Sequence, residues 1–529
     1  MPIEAQLDTL EAKGLIRVAS FQPELEYLFR HALVQDAAYE SLLKQERRAL
    51  HQVVGEALEQ LYPDRRGELA AVLTMHFEQA GETERALRYG VEAARFALDR
   101  NAIVEAFALF ERAAALLPPP TSADDDALRR RRLEIALGQV KAGLSFRSVE
   151  DELAALEPLV GDAEALGDLR VLADVHLHLA LLRQSRAERP ETSPQLKHSL
   201  DRVTEIGAAL DDPSIQALPQ ALIGTMQVFT GDLRAGVAAL EEAAPLLERK
   251  HDFVGASFAR GIRAIGHARL GEFEAAEEAA RQATEVAASG DLIAQLDALI
   301  AESTVRSLRG DLEGAVPLAQ RCTSWSEEAG ATACVVASNF VLGDAYLRQG
   351  RFQDAKIVLE RGNEVSGVTE RNIFRPSISA WLRSTAAHLG DFGPAGGSWE
   401  EELAAVRAIG DPFSEAGILA KRAETRARTL AGGVPVAEPE REAILADYAT
   451  SAAAFERMEA RPYLARVLRG WGDTLRLLGR GEEGDEKLRR ALALFEEMGI
   501  VREAGEVRTA LSAGGSEGGP ERAAPSAAG

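Results

Sequence analysis

Cysteine is nearly absent. The 529 residues hold two, Cys322 and Cys334, too few for a disulfide framework. This reads as a reducing, cytoplasmic compartment with both thiols packed as small hydrophobes. No run approaches the roughly 18 consecutive apolar residues of a membrane span. Met1-Pro2-Ile3-Glu4-Ala5-Gln6 lacks the basic and apolar regions of a signal peptide. Cations are also scarce: 60 Lys and Arg against 83 Asp and Glu leave a net charge of −23. Affinity for nucleic acid rests on cations that neutralise phosphates, so nucleic acid is excluded as the main partner and an anionic membrane surface is disfavoured. Aromatics make up 5% of the chain. With alanine abundant and alternating β-branched runs rare, that favours close helix packing over sheets.

Catalytic patterns are missing too. No Gly-x-x-x-x-Gly-Lys-Ser/Thr loop can cradle phosphates, and no apolar strand ends in paired acids that could hold Mg²⁺. No His-Glu-x-x-His, Cys-x-x-Cys or nucleophile elbow occurs. His176 and His178 stand about 200° apart around a helix, so they cannot share a metal. Paired carboxylates lie on solvated helix faces, where nothing perturbs their pKa. The expectation is a non-enzyme with no catalytic residues, no cofactor and no metal.

What the chain does have is a recurring phrase: an apolar run, Gly, a charged residue, then an aromatic or Leu. It appears at Gly231-Asp232-Leu233, Gly271-Glu272-Phe273, Gly310-Asp311-Leu312, Gly350-Arg351-Phe352 and Gly390-Asp391-Phe392, spaced 40, 39, 40 and 40 residues. Self-similarity at that period marks a helical solenoid, each unit burying its apolar face against its neighbours. In 273–287 the small or apolar residues recur on one helical face, and Glu274, Glu277, Glu278, Arg281 and Glu285 form the wet face. The fold class is therefore all-α: a curved superhelix of about 40-residue helix hairpins.

Residues 1–66 differ. A helix with Leu7 and Leu10 is capped by Gly14. Strands at 15–19 and 25–29 flank a turn at Phe21-Gln22-Pro23-Glu24, and a helix follows with Leu33, Ala37 and Leu42 inward. Helix, hairpin, helix is the closing half of a winged-helix unit, as if the chain begins inside a domain. Residues 67–118 read as the first helical repeats, with Thr83 a helix N-cap and Pro118-Pro119-Pro120 a stop. An acidic linker at 119–128 precedes the solenoid proper, 129–511. Arg129 to Arg132 form a solvated helix face beside aspartates. Residues 512–529 are rich in Gly, Ser, Pro and Ala and read as a disordered tail. Trp325, Trp381, Trp399 and Trp471 are either core residues or anchors for a partner.

The hairpin from Val341 through Gly343, Tyr346 and Gly350 to Ala355 resembles a tetratricopeptide repeat (TPR). In that pattern Gly343 lets two helices approach, Tyr346 fills the groove and Ala355 sits at the crossing. The period exceeds the usual 34 of the family and looks like the extended repeats of signal-transducing ATPases and of the bacterial maltose-regulon activator. The segment from Tyr27-Leu28-Phe29-Arg30-His31-Ala32-Leu33 to Leu43 resembles the close of the ATPase module in bacterial proteins that join a nucleotide cyclase, a STAND-type ATPase and TPRs. His31 matches the winged-helix histidine that reads nucleotide in those relatives. There Asp follows it; here Ala32 does. The resemblance implies the TPR region of such a protein without its ATPase and cyclase domains: a non-catalytic scaffold or sensor arm. Its long concave groove would bind a basic or mixed-charge protein or peptide. Arg30, His31, Gln35 and Asp36 would meet an ATPase or cyclase module. The alternatives are a fragment of a maltose-activator-type transcription regulator, which would need a basic recognition helix, and a truncated ATPase/adenylate cyclase.

Overall fold

The computed structural model describes residues 3–20, 25–100, 102–119, 121, 125–143, 147–249, 253–288, 292–369, 374–390, 398–431 and 437–514. The chain forms two compact units, Met1–Asp124 with Glu134–Gln139, and Asp125–Leu133 with Val140–Gly529. The division drawn from sequence at 66/67 falls inside the first unit.

In the first unit, helix Ile3–Ala12 ends as expected at Gly14, whose φ is +70°. The Leu15 N–H donates to the Leu10 carbonyl at 3.0 Å, closing the turn. Strands β1 (Ile16–Ser20) and β2 (Glu26–Phe29) pair antiparallel, Ile16 opposite Phe29 and Val18 opposite Tyr27, with a register shift between Val18 and Ser20. The expected turn at 21–24 lies outside the described residues.

Helix Ala32–Glu40 departs from expectation. It buries no residue, Leu33 is 82% exposed and Ala37 is exposed. The apolar pattern is present, but no described element covers that face. Helices Lys44–Leu61, Arg66–Ala80, Thr83–Asp99 and Ile103–Ala115 follow. Leu73, Phe77, Ala86 and Tyr89 form their core, with Phe77 stacked on Tyr89 at 5.6 Å. A Cβ on Gly55 would lie 3.0 Å from the Phe77 ring, so glycine lets the 44–61 helix approach. Thr83 is the first helical residue rather than the cap; Glu82 holds that place without a side-chain bond.

The second unit is a TPR-like α-solenoid. Its hairpins pair Pro213–Thr230 with Leu233–Arg249, Phe253–Leu270 with Phe273–Ala287, Leu292–Arg309 with Leu312–Glu328, and Thr332–Arg348 with Phe352–Thr369. Arg375–His388 with Trp399–Ala408, Pro412–Ala431 with Glu438–Arg457, and Arg461–Leu477 with Gly481–Glu497 continue the array, and Val501–Gly514 ends it. The tail expected from 512 is still helical through Gly514; residues 515–529 lie outside the description.

Three of these hairpins cross at a glycine. A Cβ on Gly343 would sit 2.5 Å from Leu359, and Ala355 is fully buried. Elsewhere two glycines meet: a Cβ on Gly236 would lie 2.7 Å from the Gly224 carbonyl, and one on Gly484 equally near that of Gly472. The repeat glycines do a different job. Gly231, Gly271, Gly310, Gly350 and Gly390 all have φ between +76° and +103°, a left-handed helix end that glycine adopts without strain.

The array closes on itself. Helix Phe253–Leu270 touches Arg461–Leu477, and Pro213–Thr230 touches Pro412–Ala431. Three repeat turns receive late side chains: Met458 lies against Gly231, Met498 against Gly271 and Glu503 against Gly310. Arg234 donates to both carboxylate oxygens of Glu459, 225 residues away, at 2.7 to 3.1 Å. The long open groove expected from the repeats is thus bounded by the late helices.

Candidate functional site: the interior of the array

Closure leaves a cavity of about 840 Å³ within the second unit. Its wall comes from one face of each inner helix. Asp344 and Arg348 lie one turn apart on one helix; Lys421, Glu424 and Arg428 follow the three-and-four spacing of another; Arg466, Arg469 and Asp473 do so on a third. Arg502, Glu503 and Glu506 close the ring from the last helix.

Glu503 is the hub. Its side chain is 4% exposed and accepts from Arg348 at 2.8 Å and from Arg466 at 2.9 Å. Burial alone would raise its pKa, but the two guanidiniums outweigh burial and hold the carboxyl at about 2. Arg466 also donates to the Leu308 carbonyl at 2.8 Å, and Arg348 to that of Ser307 at 2.7 Å. Early and late repeats are thereby joined through one carboxylate.

Beside this charged wall lies an apolar recess of about 90 Å³ lined by Phe229, Phe340, Phe374, Trp381 and Phe413. Trp381 belongs to both spaces, and its indole donates to Asp344 at 2.7 Å. Arg269 is buried there with its guanidinium 4.0 Å from the Phe413 centroid and 5.2 Å from that of Phe229. The ring faces and a 2.8 Å bond to the Val228 carbonyl compensate a cation whose pKa burial lowers.

None of the four residues singled out from sequence lines this interior. Arg30, His31, Gln35 and Asp36 are all exposed in the first unit. His31 precedes helix Ala32–Glu40 in extended conformation; its carbonyl accepts from Val34 at 3.0 Å and its side chain makes no capping bond. Near them Tyr39, His51 and His76 form a chain, with 3.0 Å between the Tyr39 hydroxyl and His51 Nε2 and 2.9 Å between the two Nδ1 atoms. Among the described residues no group of three metal-ligating side chains occurs, and no helix is long and apolar enough to cross a membrane. His176 and His178 are buried; His178 Nδ1 donates to the Asp174 carbonyl at 2.7 Å. Cys322 and Cys334 are free and buried, and burial pushes the Cys322 thiol up to about 12. Of the four arginines expected on a solvated face only Arg130 is exposed, pairing with Asp168 at 2.7 Å; Arg129, Arg131 and Arg132 are half-buried, because this stretch packs within the array.

The interior had a signal in the sequence that the repeat reading passed over. The residues two places before the repeat glycines are Phe229, Arg269, Leu308, Arg348 and His388. All five line the cavity or its recess.

No protein-family model matches the chain, and no curated protein matches it. Among solved structures, a Rap protein complexed with competence and sporulation factor superposes with a TM-score of 0.51 at 11% identity, covering 69% of this chain and 98% of that one. The anaphase-promoting-complex tetramer Cut9–Hcn1 gives 0.47 at 12% identity, over 93% and 90%. A STAND protein with a TPR sensor, from Pyrococcus horikoshii, gives 0.40 at 12%, over 89% and 75%. At 11% identity the likeness to the Rap protein shows the fold alone: the chain is an all-α, TPR-like solenoid.

Proposed function

We propose that this chain is a non-catalytic interaction module, the scaffold or sensor arm of a bacterial signalling ATPase or cyclase system, whose repeats engage a protein or peptide. The observation that carries the reading is the array interior, where a cavity of about 840 Å³ stays open between core residues such as Trp381 and Tyr448 and the charged side chains of the inner helices. The complex of the similarly folded Rap protein with competence and sporulation factor supports it. The non-catalytic part rests on the missing phosphate-binding loop. A second face, carrying Arg30, His31, Gln35 and Asp36, docks the ATPase or cyclase module. Leu28, Phe29 and Leu33 beside it are 43 to 82% exposed, and apolar patches of that kind mark interfaces.

The test is cross-linking and pull-down with wild type, Trp381→Ala, and the fourfold variant Arg30→Ala, His31→Ala, Gln35→Ala, Asp36→Ala. Selective loss of one partner class by each variant is expected. Identical recovery from all three sinks both assignments. ATP turnover above a matched blank, abolished by a point substitution, would overturn the non-catalytic reading.

A further inference from the structure

The cavity wall carries six cationic side chains, Arg348, Lys421, Arg428, Arg466, Arg469 and Arg502, and five acids. In a chain of net charge −23, that is a local reversal of sign. The pairing accounts for every acid. Asp344 lies 3.7 Å from Arg348 and Glu424 2.9 Å from Lys421. Asp473 lies 4.0 Å from Arg469, and Glu503 has Arg348 and Arg466. Glu506 lies 2.5 Å from Arg469 and 3.0 Å from Arg502. Arg428 is left over, exposed and without an acidic partner among the described residues.

The surplus is felt nearby. His388, its ring tilted by 32° to that of Phe352 at 4.3 Å, lies below the ordinary histidine pKa of 6.5, first by burial and further by the charges of Arg428 and Lys421, against its bond to the Ser384 carbonyl and the charge of Glu424. Lys421 itself stands 5.1 Å from the Trp381 ring centroid. A positive corner therefore adjoins an aromatic wall. The volume, about 840 Å³, falls in the range of small-molecule sites, roughly 300–1,000 Å³, and excludes a folded domain.

We infer that the interior of the array is a binding site for a small anionic ligand, its carboxylate or phosphate held by Arg428 and Lys421 and its body set against Trp381. The inference does not rest on the protein partner proposed above. It concerns a small ligand inside the array and leaves untouched the basic or mixed-charge protein or peptide expected from net charge along the groove. Because the wall joins early and late repeats, an occupant stabilises the closed array by mass action.

The experiment titrates the full chain with citrate, inorganic phosphate and, as the cationic control, spermidine, read by calorimetry and thermal melting. Citrate or phosphate should bind one to one and raise the melting temperature, and spermidine should do neither. The stronger anion distinguishes a carboxylate from a phosphate ligand. Arg428→Gln should weaken binding about tenfold and Arg428→Glu should abolish it. Both variants should melt like wild type without ligand, because Arg428 holds no ion pair. Arg281→Gln, at an exposed side chain outside the cavity, should bind normally. The inference is overturned if neither anion shifts the melt, if spermidine protects as well, or if Arg428→Glu binds like wild type.

Discussion

Two helices of similar length fare differently in this protein. Lys44–Leu61 buries only Gly55 and leaves Leu50, Val53 and Leu61 51 to 69% exposed. Thr332–Arg348 buries Val335, Leu342 and Tyr346 among others. Both carry an apolar stripe. The second has a hairpin partner and a neighbouring repeat on each side, whereas the first packs chiefly on the 66–80 helix, with mainly polar contacts from Tyr39, Arg85, Arg88 and Tyr89. A stripe states where a neighbour belongs; burial needs the neighbour itself.

The largest effect that would sharpen this contrast is expected at Glu503. Glu503→Ala strips half-buried Arg466 of its carboxylate partner and leaves Arg348 only Asp344, 3.7 Å away; breaking a pair of this kind typically costs about 3–5 kcal/mol, and denaturant melts should show it. The pH dependence has a definite sign. The folded carboxyl titrates at about 2 against an ordinary 4.5, so its contribution is complete above pH 4.5 and is lost as pH falls towards 2. A Glu503→Gln protein should therefore show a flatter acid limb, and an unchanged limb would mean that Glu503 is not ionised in the fold.

Next comes the hairpin crossing. Gly236→Val places atoms against the Gly224 carbonyl and the Val228 amide, 2.7 and 2.8 Å from the new Cβ. Backbone cannot move aside as a flexible side chain can, so about 1–3 kcal/mol should be lost. Wild-type melting would show that the two helices are not so close.

Smaller again is the left-handed turn. Gly350→Ala has φ +76° and no atom nearer than the Phe352 ring at 4.0 Å, so only the backbone penalty of roughly 1–2 kcal/mol applies. Gly271→Ala has the same backbone and adds a clash with Met498, 2.5 Å from the new Cβ. The excess of the second over the first measures the closure contact; equal losses would argue against closure. The smallest effect is expected on the uncovered helix. Leu50→Ser should change stability by no more than about 0.5 kcal/mol, and a loss of several times that would reveal a partner the chain itself supplies.

The period, the glycine caps and the crossing at Gly343 and Ala355 were legible in the sequence because they are local: φ, side-chain size and helical spacing are set within one repeat. Inward packing of Leu33 was misread because the same spacing is written whether or not a neighbour comes. Glu503 was invisible for another reason. Its partner Arg348 is 155 residues away, and no periodicity within a hairpin encodes where one superhelical turn meets the next. Arg348 and His388 carried a trace, since they share a place in the repeat with Phe229, Arg269 and Leu308.

An open solenoid can gain or lose a unit by duplication and still fold, since each unit answers only to its neighbours. Here Met458, Met498 and Glu503 must arrive opposite Gly231, Gly271 and Gly310. Removing one hairpin between residues 311 and 457 would bring a different late turn into each place, and Glu503 would no longer face Arg348. The number of repeats is therefore itself a fixed structural parameter, like the strand count of a closed barrel.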